Sequence, residues 1–191
     1  MIKNKTKSAP YYNIGQLRVD FWNKLKMETS ELTRCYKGSA NEKAHKINFE
    51  GAKNLAIVCK ANNTTLIHIS TDYVFDGKKR APYTEKDPTN PVNVYGASKL
   101  EGEKVLQEIW RKHYIIRTSW LYSSFGNNFV KTMLRLGKEK ETLGVVFDQV
   151  GSPTYARGLA KTCLEILCGK NSAKISKKGK LYHYSDEGVA S

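Results

Sequence analysis

No apolar run in this 191-residue chain approaches the roughly 18 residues of a membrane span, so nothing in it reads as a transmembrane helix. The start, Met1-Ile2-Lys3-Asn4-Lys5-Thr6-Lys7, is basic but no apolar core follows it, which argues against a secretory signal. Cysteine is scarce. Cys35, Cys59, Cys163 and Cys168 form no Cys-x-x-Cys pair, and nothing in the chain has metal-ligand spacing. These absences exclude a disulfide framework and a zinc module, and the simplest compartment for such cysteines is the reducing cytoplasm. Acidic residues are also short, 18 against 32 basic, leaving a net charge of +14. That excess raises nucleic acid as a partner, but its distribution argues against one. The densest cluster, Lys170 to Lys180, reads as a solvated loop, and the rest is scattered among acidic residues.

What is present is the composition of a soluble globular domain, 40% hydrophobic and 26% charged, with length enough to bury a core. Residues 1–40 are polar, lysine-rich and poorly periodic, and are expected to be weakly ordered. Within them Ile14 to Leu25 offers a short amphipathic helix. From Asn41 the pattern turns regular. Ala44, Ile47, Phe49, Ala52, Leu55, Ala56 and Cys59 recur at helical spacing, and Leu66-Ile67-His68-Ile69 follows as an apolar strand. A turn-rich stretch leads to a helix through Tyr95, Leu100, Val105, Leu106 and Ile109. Tyr114 to Thr118 is the next strand, and Phe129 opens the next helix. Leu143 to Phe147 reads as a strand, Ala156 to Leu167 as a helix, and Leu181 to Tyr184 as a strand. Such alternation predicts an α/β fold with a parallel sheet and crossover helices, in which ligands sit at the carboxyl ends of the strands.

Two of those ends carry polar side chains. Ile69 runs directly into Ser70, Thr71 and Asp72, and Arg117 into Thr118, Ser119 and Trp120. Tyr95 and Lys99 stand four residues apart at the head of their helix and therefore share a face. Alone, that pair is an ordinary solvated helix face. Beside the polar end of a strand it becomes a proton donor, since a fixed ammonium pulls a phenol's pKa down from about 10. His68, inside the apolar strand, reads as a satisfied core histidine. Trp120 serves either as a core residue or as an aromatic wall. Asn127 and Asn128 either cap the helix at Phe129 or read polar groups of a ligand. Gln149 and Pro153 either shape a loop or simply form a turn.

The Ser/Thr and Tyr-x-x-x-Lys combination resembles the extended short-chain dehydrogenase/reductases. Five phrases in order narrow the resemblance to the dTDP-4-dehydrorhamnose reductase family. They are Ser70 to Gly77, Pro91 to Glu103, Arg117 to Tyr122, Gly126 to Met133 and Asp148 to Thr154. The likeness covers roughly Asn41 to Ser191. It implies a Rossmann-like parallel sheet and NADPH-dependent (or NADH-dependent) reduction of dTDP-4-dehydro-L-rhamnose to dTDP-L-rhamnose. Tyr95 would act as general acid, Lys99 would lower the tyrosine's pKa and bond the nicotinamide ribose, and Thr71 would bond the substrate carbonyl or the phenol. Ser70, Tyr95 and Lys99 would face the cofactor; Thr71, Asp72, Trp120 and Asn128 would face the dTDP-sugar. No metal, nucleic acid or membrane is implied, and a homodimer is allowed.

The resemblance has a gap at its front. No Gly-x-x-Gly-x-x-Gly stands near the N-terminus, where backbone amides would approach a pyrophosphate. Gly15-Gln16-Leu17 resembles the end of the family's glycine loop, but Arg18 occupies the place of the next glycine. The interval from Gly15 to Thr71 is too short for a full nucleotide-binding half at about 30 residues per βαβ unit. The expectation is therefore a chain shortened at both ends: an atypical segment 1–40, then a partial reductase domain over 41–191 with the start of a substrate lobe. The first nucleotide-binding half is largely missing. A chain so shortened is expected to be marginally stable and to bind NADPH poorly. The alternatives are a non-catalytic binding or regulatory relative on the same fold, or an inactive gene fragment.

Overall fold

The computed structural model describes residues 40–145, 149–168 and 180–190. The expectations for residues 1–39, including the amphipathic helix, lie outside the described residues. The first helical stretch is continuous in direction but not in type. Helix α1 (Ala40–His45) passes through a π-helical turn (Lys46–Glu50) into helix α2 (Gly51–Ala61). The turn spaces its hydrogen bonds one residue wider than an α-helix. This shifts the apolar register, so that Ile47 is 59% exposed, while Ala52 and Ala56 are buried as expected.

Asn62 and Asn63, the latter at φ 53°, turn the chain into strand β1 (Leu66–Thr71). A 3-10 turn (Asp72–Val74) and a long loop lead to helix α3 (Val94–Ile109), then strand β2 (His113–Thr118). Further on come β3 (Leu121–Tyr122), α4 (Phe129–Glu139), β4 (Thr154–Tyr155), α5 (Ala156–Cys168) and β5 (Lys180–His183). No strand forms over Leu143–Val145, and Val146 and Phe147 lie outside the described residues.

The Rossmann-like expectation is met by a parallel sheet of order β1-β2-β5, with β3 and β4 pairing separately. Thr71 pairs with Thr118, so both strands end at one polar edge. β2 is buried along its whole length, whereas β1 is buried only at Ser70 and Thr71, and Ile69 is 36% exposed. The difference follows from position, since β2 is central and β1 lies at an edge among the described strands. Ala56, Leu106 and Ile115 lock α2, α3 and β2 together, with Leu66, Ile109, Trp110 and Leu181 packed against them. A second cluster, Val74, Phe75 and Leu100, fastens the loop after β1 to α3. Fully burying a side chain such as Leu106 or Ile115 contributes about 1.5–3 kcal/mol. No helix among the described residues is long and apolar enough to cross a membrane.

Candidate active site

α3 begins where its sequence says it should. Asn93 is extended (φ −136°) and its Oδ1 accepts from the Gly96 N–H at 2.7 Å, the usual satisfaction of an orphan donor in the first turn. Gly96 is there for space. A Cβ at that position would lie 2.0 Å from the Tyr73 carbonyl oxygen, so only glycine lets α3 rest on the turn after β1. Gly102 serves the same purpose further along the helix, where a Cβ would come within 2.3 Å of the Asn48 carbonyl oxygen. Asn48, in the π turn, donates to Ser98 Oγ at 3.0 Å, and Ser98 Oγ donates to the Tyr95 carbonyl at 2.9 Å.

This packing sets the head of α3 against the end of β1. Thr71 is buried; its hydroxyl donates to Asp72 Oδ1 at 3.0 Å and accepts from the Tyr73 N–H at 3.2 Å, capping the 3-10 turn. The Tyr95 ring meets the edge of Tyr73 at 5.9 Å between centroids, and the residue stays half exposed. Lys99 Nζ donates to the Ile69 carbonyl at 2.6 Å. Thr71, Asp72, Tyr95 and Lys99 are thus gathered at the carboxyl end of β1, as the sequence predicts. Ser70 is at the same edge, but strand alternation sends its side chain to the opposite face from Thr71.

The electrostatics depart from expectation in one respect. The sequence predicts that Lys99 pulls the Tyr95 pKa down, yet it is raised. Burial raises it, and the Asp72 carboxylate and Tyr73 add to this, with the Thr71 hydroxyl pulling the other way as hydrogen-bond partner. The ammonium group is spent on the Ile69 carbonyl instead. A phenol so placed keeps its proton at neutral pH, which suits a donor. Burial lowers the Lys99 pKa, opposed by the Glu103 carboxylate, and burial raises that of Asp72 against its hydrogen bonds.

The other sequence candidates, His68 apart, belong to other elements. Trp120 has φ 43°, a backbone conformation that costs a non-glycine residue about 1–2 kcal/mol. Its neighbours hold it there. The Thr154 N–H donates to the Trp120 carbonyl at 3.1 Å, the Ser119 hydroxyl to the Ser152 carbonyl at 2.8 Å, and Gly151 leaves room for the indole. Asn128 caps α4: Oδ1 accepts from the Lys131 N–H at 3.1 Å and Nδ2 donates to the Ser123 carbonyl at 2.6 Å. Asn127 and Gln149 are exposed. Among the described residues no hydrogen bond or ring contact joins Trp120 or Asn128 to Tyr95 or Lys99. His68 is not the satisfied core histidine expected. Its Nε2 is buried without a hydrogen-bond partner, and burial, with Lys99 and His113 nearby, lowers its pKa to about 4.

A buried ion pair escaped the sequence reading. Arg117 Nε and Nη2 donate to the two carboxylate oxygens of Glu103 at 3.0 and 2.7 Å, with both side chains buried. The signal was an arginine in an otherwise apolar strand, which demands a buried counter-charge.

The residues present fit one end of a nicotinamide cofactor. Ser70 Oγ and Thr118 Oγ1 are buried at the strand ends without hydrogen-bond partners, one on each face of the sheet, and each has a polar atom free for a ligand. No glycine-rich turn stands among the described residues to approach a pyrophosphate.

The family model described as RmlD substrate binding domain matches residues 36–191. A dTDP-4-dehydrorhamnose reductase of Aggregatibacter actinomycetemcomitans is 44% identical over 144 residues, 75% of this chain and 49% of the relative. A crystal structure of dTDP-4-dehydrorhamnose reductase from Bacillus anthracis, in complex with NADP, is similar with a TM-score of 0.72 at 43% identity. That likeness covers 79% of this chain and 51% of the other. A dTDP-4-dehydrorhamnose reductase structure from Clostridium acetobutylicum gives 0.72 and 44%, with the same coverage of 79% and 51%. The chain spans about half the length of the curated relatives it matches.

Proposed function

The chain belongs to the RmlD substrate binding domain family, and on that footing we propose that it carries the proton-donating, sugar-facing portion of a ketone reduction. The reaction is the NADPH-dependent conversion of dTDP-4-dehydro-L-rhamnose to dTDP-L-rhamnose. One observation supports this above the others: Thr71, Tyr95 and Lys99 converge at the carboxyl end of β1, with the phenol holding its proton.

The reaction takes its hydride from NADPH when that cofactor is bound. Everything else falls to side chains. As negative charge develops on the ketone oxygen, Tyr95 would transfer its phenolic proton to that oxygen; a placed acid of this kind gives about 10²–10⁴-fold. Thr71 orients the carbonyl and the phenol through its hydroxyl. Lys99, whose ammonium group bonds the Ile69 carbonyl, faces the nicotinamide ribose end. Asp72 lies toward the sugar hydroxyls. Trp120 offers its indole as an aromatic wall for the dTDP-sugar, and Asn128 holds the loop between Ser123 and α4 in shape. A homodimer is compatible with this reading.

A second reading, a non-catalytic binder of the sugar nucleotide, is favoured by the absence of a glycine-rich turn from the N-terminal stretch of the sequence. Titrating the full chain separately with NADPH, by its fluorescence, and with dTDP-L-rhamnose, by calorimetry, tests the proposal. The expected result is sugar-nucleotide binding weakened by Thr71→Val and Trp120→Ala, and NADPH binding far weaker than micromolar. No sugar-nucleotide binding at all would overturn it.

A further inference from the structure

We propose that Glu103 is a positioning residue for Lys99, held by Arg117 so that its carboxylate stands one helical turn behind the ammonium group. This role rests on Lys99 being a site residue, as proposed above. Glu103 follows Lys99 by four positions on α3, the spacing at which helix side chains are neighbours. Its side chain is 1% exposed, and both its oxygens are taken by the Arg117 fork at 3.0 and 2.7 Å. Arg117 is steadied in turn by the Phe75 ring, 5.2 Å from its guanidinium carbon, and Phe75 stacks on Tyr83 at 4.2 Å.

A buried pair of this kind contributes little net stability, since well-packed apolar residues of similar size serve as well or better. Its placement is what counts. The two charges form a fixed dipole on α3 and β2, with the negative end toward Lys99 and the positive end toward Phe75 and Glu85. Lys99 has the Glu103 carboxylate one turn along α3 and the Ile69 carbonyl at its tip, which holds it toward the end of β1; burial lowers its pKa and the carboxylate opposes that lowering. Without the pair, desolvation alone would act on the lysine. The remaining titratable groups around Lys99 are Tyr95 one turn earlier, Asp72 beyond it, and His68 from β1 with His113 of β2 beside it. His68 carries no charge at neutral pH, with its pKa held at about 4, and Glu103 is the charged group that opposes the effect of burial on Lys99.

The test follows Lys99 itself, by nuclear magnetic resonance of lysine side chains in the full chain as pH is raised, assigned with Lys99→Met. Glu103→Gln is expected to move the Lys99 titration midpoint down. Because that variant leaves Arg117 buried and unpaired, a second variant, Glu103→Leu with Arg117→Met, keeps the packing. It is expected to melt near the parent temperature and still show a smaller downward shift. An unmoved midpoint in the folded double variant would overturn the positioning role while leaving the site reading in place. Thr71→Val that leaves dTDP-L-rhamnose binding unchanged would overturn the site reading, and the proposed role with it.

Discussion

Gly96→Ala puts a methyl group where the Tyr73 carbonyl already is. The added Cβ would lie 2.0 Å from the oxygen and 2.8 Å from the carbon, both backbone atoms that cannot swing aside as a side-chain tip would. To restore contact distance, the head of α3 and the turn after β1 must separate by roughly 1 Å, a forced rearrangement that costs about 1–3 kcal/mol. In a chain of this size that lowers the melting temperature by roughly 2–12 °C. The separation opens between Tyr95 and Thr71, and a displacement of about 1 Å is worth on the order of 10²-fold where catalytic geometry is concerned. Two controls carry the same substitution into different surroundings. Gly137→Ala, in the open interior of α4, is expected to stabilise by about 0.5–1 kcal/mol. Gly77→Ala has free space but φ 73°, and is expected to cost about 1–2 kcal/mol through strain alone. Thermal and urea melts of the three variants, with amide spectra reporting on Thr71 and Tyr95, distinguish the cases. A neutral Gly96→Ala, or one whose spectral changes leave Thr71 and Tyr95 untouched, would refute the reasoning.

Thr71→Val removes the cap of the 3-10 turn and is expected to cost about 0.5–2 kcal/mol; the Tyr95 resonance titration should move further up, because Thr71 is the partner that lowers it. His68 is held at about 4 by burial, then by Lys99 and His113, whereas the unfolded chain takes up that proton near 6.5. Between those values the unfolded state binds more protons, so stability is whole above about pH 6.5 and falls toward pH 4, by up to roughly 3 kcal/mol. Urea melts at pH 7.5 and pH 5 should show the loss and His68→Leu should flatten it; an unchanged slope in that variant contradicts the assignment. Asn128→Ala is expected to cost about 1 kcal/mol in melts by uncapping α4, with local exchange rising between Ser123 and Lys131.

The sheet was legible because its strands are short apolar runs bounded by turn residues. Leu66–Ile69 and Tyr114–Thr118 needed no tertiary information, and neither did the face shared by Tyr95 and Lys99. The π turn was not legible. Its extra residue answers a tertiary demand, the approach of Asn48 to Ser98 and Gly102, that no periodicity records. Nor was the direction of the Tyr95 pKa. Spacing places a lysine beside a tyrosine, but only the fold decides that its ammonium group goes to the Ile69 carbonyl while the Asp72 carboxylate acts on the phenol. Arg117 was visible as a charge in an apolar strand, but Glu103, flanked by Glu101, Gly102 and Lys104, was not marked out, and only the packing of α3 on β2 joins the two. Leu143–Val145 has strand composition, yet no strand forms over those described residues.

The most direct test of the central claim is a residue-resolved titration of the full chain with dTDP-L-rhamnose, following backbone and side-chain resonances of Thr71, Asp72, Tyr95 and Trp120. Saturable shifts are predicted at these four positions, reduced together in Thr71→Val, while the parallel NADPH titration perturbs them only at far higher concentration. A sugar nucleotide that leaves Thr71 and Tyr95 unmoved, or binds unaltered in Thr71→Val, would contradict it.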